Sequence, residues 1–123
     1  MLSAYLLNAG SELWGKKWRN AILFILKDGP KRFSEIKKEM PDCSVKMLSE
    51  ALDEMEHDGL IIRKQYDGIP VKVTYELGPD LEPLLDVLQR YHRALLYYFK
   101  RHARRLNAPP HIVEMLEREQ VSL

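Results

Sequence analysis

The sequence predicts a mainly helical α+β fold: a winged helix-turn-helix with an extra N-terminal helix and a long C-terminal dimerisation helix. Three observations within residues 29–77 support this prediction. Residues 33–40 and 44–58 have apolar side chains at helical spacing, and a tight Pro-Asp-Cys-Ser turn joins the two segments. Residues 60–66 and 71–77 are rich in β-branched and aromatic side chains and flank an Asp-Gly-Ile-Pro turn, which is typical of an antiparallel hairpin.

The length of 123 residues predicts one domain, 1–123. We divide it into N-terminal and dimer helices (1–28), a helix-turn-helix with its wing (29–77), and a C-terminal dimer helix with its tail (78–123). No apolar run approaches the ~18 residues of a membrane span, and no charged and then apolar leader opens the sequence. A single cysteine excludes an intrachain disulfide and fits a reducing compartment. We therefore expect a cytoplasmic protein with no membrane contact.

The N-terminal part predicts two helices. The first covers about residues 2–9, after which Gly10 weakens continuation and Ser11 can cap a new start. The second covers about residues 12–27 and carries an apolar stripe at helical spacing. Gly29 and Pro30 end it, because glycine supplies a left-handed residue and proline cannot continue a helix.

The net charge of +1 hides an uneven distribution. Residues 31–38 hold four basic side chains and one acidic one, and residues 100–105 hold four more basic ones. Residues 50–58 hold five acidic side chains and no lysine or arginine. Basic patches of this kind favour contact with phosphates, although the group at 100–105 equally suits a solvated helix C-terminus.

The helix that Ser44 caps is the candidate recognition helix, and Ser44 is itself a predicted DNA-binding residue. In a helix-turn-helix, the N-terminal part of its outer face enters the major groove. There Lys46 can donate to guanine, Ser49 can donate or accept, and Val45 can contact a thymine methyl group. Glu50 either accepts from cytosine or repels phosphate. The alternative is a solvated helix face of a small α+β domain.

Further basic residues are candidates for phosphate or minor-groove contacts. Lys31, Arg32 and Lys37 come just before the turn, where the preceding helix would cross the DNA backbone. Arg63, Lys64 and Lys72 lie on the hairpin, whose loop over residues 67–70 is the candidate wing. The alternative is a hairpin that only shields the core.

These residues resemble the HxlR-type winged helix-turn-helix regulators, relatives of the MarR group. The resemblance covers about half of the chain, in order and at the expected spacing. Its pieces are Lys17-Trp18 with the apolar run 22–26, Gly29 to Ile36, Ser44 to Leu48, the run 52–60 ending in Asp58-Gly59-Leu60, Arg63, Tyr66, and Pro70 to Leu77. The resemblance implies a DNA-binding transcription regulator, usually dimeric, acting at palindromic operators. It also implies that residues 44–58 form the recognition helix and residues 60–77 the wing.

The sequence departs from the family pattern at three places. Many members have an electrophile- or oxidant-sensing cysteine before the first core helix, whereas residues 1–15 have none here. Gly78-Pro79 follows the wing where the family commonly has threonine. Glu50 or Asp53 occupies a recognition-helix position that is often basic, so we expect flanking cations to supply much of the affinity.

A long helix over about residues 81–106 carries a coiled-coil-like seam, with apolar residues repeating every seven positions. We predict that this helix forms a homodimer together with the N-terminal helices. The alternative is packing on its own domain. The predicted interface residues are Leu6, Leu7, Trp14, Leu84, Leu88, Tyr91, Leu95 and Tyr98. Residues 107–110 then break the helix, and a last one covers about residues 111–120.

The sequence predicts no enzyme, metal site or cofactor. The four histidines lack zinc-site spacing, and no glycine-rich phosphate loop or nucleophile elbow is present. Cys43 is either a half-buried turn residue or a thiol made acidic by the following helix N-terminus. The predicted partners are double-stranded DNA and a second copy of the chain, and a small-molecule effector is possible. The leading alternative is a winged helix for protein–protein contact in a transcription or chromatin assembly.

Overall fold

The structure is a computed structural model, and it describes residues 1–121. Within them, six helices and two strands follow one another: α1 Leu2–Trp14, α2 Arg19–Leu26, α3 Phe33–Glu39, α4 Val45–His57, β1 Ile61–Tyr66, β2 Lys72–Leu77, α5 Glu82–His102 and α6 Pro110–Arg118. The predicted fold class is confirmed. The chain forms two compact units, one covering Met1–Leu85 and the other beginning at Asp86.

The two N-terminal helices have different bounds from those predicted. The first helix continues through Gly10 to Trp14, and the Ser11 hydroxyl donates to the Leu7 carbonyl at 2.9 Å instead of capping a new helix. The break comes at residues 15–18, so the single helix predicted over 12–27 is wrong. A Cβ at Gly15 would lie 2.2 Å from the Ser11 carbonyl oxygen, and Trp18 is left-handed with φ 78°.

The core of the first unit is built from one face of each of α2, α3 and α4, together with the start of β1. The predicted α4 face is buried, at positions spaced by three and four along the helix. Gly59 follows α4 with φ +80°, where glycine is favoured, and turns the chain into β1. The fully buried side chains of this core include Ile22, Leu26, Ile36, Leu48, Leu52, Met55 and Ile61.

The sheet is an antiparallel pair whose register runs from Ile61 opposite Leu77 to Tyr66 opposite Lys72. The predicted hairpin is confirmed to within one residue at each strand start. Lys31 adds an unpredicted bridge: its N–H donates to the Tyr75 carbonyl at 2.9 Å, and its carbonyl accepts from the Tyr75 N–H at 2.8 Å. The segment before α3 is thereby joined to β2.

The long helix α5 ends at His102, earlier than the predicted residue 106. Asn107 takes a left-handed conformation with φ 57°, and the Ala108 N–H donates to the Ala103 carbonyl at 2.9 Å, so the chain turns here. Pro110 then stands at the start of α6, where its missing N–H costs nothing. In the described part of the chain, no helix has the length and apolar character that membrane crossing requires.

Candidate nucleic-acid interface

Helix α4 begins at a side-chain cap. The Ser44 hydroxyl accepts from the Met47 N–H at 3.1 Å, and the Ser44 carbonyl accepts from the Leu48 N–H at 2.9 Å. Such a cap satisfies one of the free N–H groups of the first turn and fixes where the helix starts. The cap therefore sets which residues occupy the first turns of the candidate recognition helix.

The outer face of α4 is exposed at each position predicted to contact bases, namely Val45, Lys46 and Ser49. Among the described residues, neither Lys46 nor Ser49 has a side-chain hydrogen bond or ion pair, so both keep their donors available. Met47 is also 50% exposed, and sequence reasoning did not select it. The sequence does contain a signal for it: Met47 directly precedes Leu48 and therefore lies off the buried face of the helix, so its thioether is accessible. The acidic Glu50 and Asp53 are exposed on the same helix.

The three cations predicted around α3 have different environments. Lys31 is half-buried and its backbone is bound to Tyr75. Arg32 is exposed. Its backbone N–H donates to the Glu35 carboxylate at 2.9 Å, which fixes the first turn of α3 and leaves the guanidinium available. The Lys37 ammonium donates to the Pro41 carbonyl at 3.4 Å. Arg32 is thus the most accessible of the three guanidinium or ammonium groups.

The cations of the hairpin also differ in how free they are to contact phosphate. Lys64 forms an ion pair with Glu76, and this carboxylate raises the pKa of Lys64 through a hydrogen bond and charge attraction. The Arg63 guanidinium lies 3.4 Å from the Gln65 side-chain oxygen, and the Lys72 ammonium lies 5.6 Å from the centre of the Tyr66 ring. Because the positive charge of Lys64 is already paired with the Glu76 carboxylate, Arg63 and Lys72 are the stronger candidates for contact with phosphate. Arg63 also pairs in register with Tyr75, which brings it into the same sheet as Lys31.

A buried arginine anchors the end of α4, and sequence reasoning missed it. Arg19 is 2% exposed, and its Nη1 lies 2.8 Å from the Asp58 carboxylate and donates to the Leu13 carbonyl at 3.0 Å. Its Nη2 lies 3.5 Å from the Glu54 carboxylate. We call Arg19, Glu54 and Asp58 the arginine cluster. The sequence signal is a charged residue three positions before Ile22 and seven before Leu26, on the buried stripe of α2.

Cys43 lies in the turn before α4 and is fully buried. Burial raises the pKa of the Cys43 thiol, and the nearby charges of Lys37 and Lys17 only partly offset this. The hypothesis of a thiol made acidic by the helix N-terminus is therefore wrong. Cys43 is a turn residue, as the other interpretation had it, but its side chain is completely buried and not half-buried.

The buried thiol predicts a loss of stability at alkaline pH. Because the folded pKa is raised, Cys43 contributes stability that is fully present below the unfolded thiol pKa of ~8.5 and is lost as pH rises through the folded pKa. Urea unfolding at neutral and alkaline pH should show a steeper loss in the wild type than in Cys43→Ala. A thiol reagent should label the wild type only upon unfolding, and fast labelling of the native protein would contradict this burial.

The predicted interface residues form apolar surface in each unit. On α1, Leu6 and Leu7 are exposed and Trp14 is half-buried. On α5, Leu88 is half-buried, whereas the other predicted positions are exposed: Leu84, Tyr91, Leu95 and Tyr98. Leu81, which begins the heptad seam in sequence, is instead buried in the first unit. Each helix thus carries an apolar face that its own unit leaves open.

The described residues contain no cluster of three histidine, cysteine or acidic side chains that could hold a metal ion.

Comparison with known proteins identifies the family. A model of the HxlR-like helix-turn-helix family matches residues 13–101, well over half of the chain. The HTH-type transcriptional regulator YkvN of Bacillus subtilis strain 168 is 45% identical over 80 residues, which cover 63% of this chain and 68% of that protein. YtcD of the same organism is 48% identical over 80 residues, and the chain spans only 64% of its length.

Solved structures show the same fold. The crystal structure of YtcD has a TM-score of 0.65 and 41% identity, covering 75% of this chain and 97% of that one. The quinone-bound YodB of B. subtilis has a TM-score of 0.59 and 35% identity, covering 70% and 90%. The redox regulator HypR in its oxidized form has a TM-score of 0.65 and 30% identity, covering 72% and 94%. With its capped helix α4, its hairpin and these relatives, the chain belongs to the HxlR-like helix-turn-helix family and is a transcriptional regulator.

Proposed function

We propose that this chain binds duplex DNA as a homodimer at a palindromic operator, with the first turns of α4 in the major groove. The observation that carries the proposal is the exposed group of Lys46, Ser49 and Val45 directly after the Ser44 cap. Two donors and a methyl-bearing side chain at the start of such a helix match the base edges that a recognition helix reads.

Phosphate contacts supply the rest of the proposed affinity. Of the six cations predicted to contact phosphate or the minor groove, three are exposed and have no carboxylate ion pair among residues 1–121: Arg32, Arg63 and Lys72. Because the recognition helix also bears Glu50 and Asp53, binding depends strongly on these flanking charges. A steep fall of affinity with rising salt is the expected signature.

The open apolar faces of α1 and α5 support the homodimer. Tyr91 is 51% exposed in the middle of α5, and monomeric proteins seldom leave a row of such side chains in water. In a symmetric dimer, the two copies of α4 would meet successive major grooves roughly 34 Å apart. A small-molecule effector is a further proposed partner, since the similar YodB has a structure with a bound quinone. Residues 1–15 of this chain contain no cysteine that could serve as a covalent sensor.

Replacing Lys46 with alanine tests the groove contact. We expect a loss of ~1–3 kcal/mol in binding to the best duplex selected from a random library, together with relaxed preference at the contacted base. Arg32→Ala is the matched control, since the loss of a cation that faces phosphate weakens binding to all sequences about equally and lowers the salt slope by about one. Anisotropy titrations over a salt series measure both. Unchanged affinity and preference in Lys46→Ala would remove Lys46 from the interface.

The same titration separates the second candidate, a winged helix for protein–protein contact, which the exposed acids of α4 favour. A protein-binding module would show no saturable affinity for any selected duplex.

A further inference from the structure

The tip of the hairpin carries an exposed apolar side chain. Because Tyr66 pairs with Lys72, residues 67–71 form the turn, and Ile69 lies at its middle position. The Ile69 side chain is fully exposed, and Val71 beside it is 54% exposed. Pro70, between the two, is also exposed. The outermost part of the hairpin is therefore apolar.

The fold does not account for this apolar tip. Ile69 lies outside both strands, and the buried part of β1 is its other end, at Ile61. A turn with this much exposure ordinarily carries polar residues, because isoleucine in water gains nothing from folding. A partner surface that covers Ile69 would explain the choice of residue.

The charges behind the tip indicate which partner that is. Arg63 and Lys72 lie on the two strands and have no ion pair with a carboxylate in the described chain, whereas Lys64 is neutralised by Glu76. An apolar tip with cations behind it complements a DNA minor groove, whose phosphate walls are negative and whose floor consists of base edges. Asp67 is the one acidic residue of the turn, and it would face repulsion from those walls.

We propose that Ile69 enters the minor groove of the operator as an apolar wedge, partly unstacks one base step and bends the duplex. Isoleucine and proline are among the side chains that act in this way in architectural DNA-binding proteins. The energy for unstacking comes from burying the Ile69 side chain against the base step, while Arg63 and Lys72 hold the hairpin on the phosphates of the straight and the bent duplex alike. This inference rests on the proposed function, and it adds a residue that selects operators by how easily they deform.

The test compares Ile69→Ala with the wild-type chain on the best duplex selected from a random library. We expect roughly three- to thirtyfold weaker binding with an unchanged salt slope, because the lost contact is apolar. Lys72→Ala should instead lower the salt slope by about one. Duplexes with end-attached donor and acceptor dyes report the bend, and 2-aminopurine placed at successive steps reports unstacking by brighter fluorescence. Both signals should decrease in Ile69→Ala.

The control is Met115→Ala, which removes a side chain of comparable apolar character that is 58% exposed on α6. It should bind and bend DNA as the wild type does, and both variants should keep the wild-type melting temperature. Wild-type affinity in Ile69→Ala would overturn the wedge, and so would a loss of affinity with unchanged bend and fluorescence. In either case, a weakened Lys46→Ala would leave the proposed function standing. A wild-type chain without saturable duplex affinity would overturn both proposals.

Discussion

Replacing Asp58 with alanine is expected to lower the free energy of unfolding by about 2–3 kcal/mol, because it leaves the buried Arg19 without its nearest carboxylate. Removing one partner of a fully buried ion pair costs roughly 3–5 kcal/mol. The expected loss is smaller here, since the Asp58 side chain is 32% exposed and Glu54 remains 3.5 Å from Arg19. Urea unfolding followed by circular dichroism measures the change.

Glu54→Ala is the matched control for the arginine cluster. The Glu54 side chain is 60% exposed and its contact is longer, so we expect a loss of less than about 1 kcal/mol. The double variant Arg19→Met, Asp58→Ala should regain part of the stability, because no charge is then left stranded in the core. Equal losses in Asp58→Ala and Glu54→Ala would contradict the role assigned to Asp58.

Tyr91→Glu is expected to convert the proposed dimer into a monomer and to weaken binding to a palindromic duplex by about 100-fold or more. A carboxylate at a position that a partner covers must lose its hydration, which opposes association. Losing one subunit then removes the gain of linking two half-site contacts, which amounts to roughly 10²–10⁴-fold. Sedimentation velocity gives the oligomeric state and anisotropy titration gives the affinity.

Gln89→Glu is the matched control, because it adds the same charge on α5 about 140° around the helix from the apolar seam. It should remain dimeric and retain its affinity. A Tyr91→Glu variant that sediments as the wild type does would exclude Tyr91 from the interface. A wild-type chain that sediments as a monomer would contradict the homodimer itself.

Much of the first unit could be predicted because its signals are local. Leu48, Leu52 and Met55 follow helical spacing, Ser44 has the cap that its residue type suggests, and the hairpin register follows its turn. The break between α1 and α2 could not be predicted in this way. Ser11 can cap a helix or lie inside one with its hydroxyl on the carbonyl four residues earlier, and the residue type alone does not distinguish the two; the structure has the second arrangement, on the Leu7 carbonyl.

The residue types of the candidate interface could be predicted from the sequence, but not which of its charged side chains are free to contact phosphate. Sequence reasoning treats Lys64 and Lys72 alike, as two cations on one hairpin. The pairing of the strands brings Glu76 to Lys64 and the Tyr66 ring to Lys72, so that only the first is neutralised. Pairings of this kind depend on which residues become neighbours across the sheet, and a one-residue change of register would alter them.

The winged helix-turn-helix, its candidate recognition helix and the two apolar helix faces could be predicted from residue order alone, because periodicity, caps and turn residues act over a few neighbouring positions. Three other features appear only in the folded chain: Arg19 is buried against Asp58, Cys43 is shielded and therefore less acidic, and Ile69 is fully exposed at the tip of the hairpin. Desolvation and ion pairing depend on residues that folding brings together from distant parts of the chain. Arg19 and Asp58 are far apart in sequence, and only folding brings their side chains to 2.8 Å.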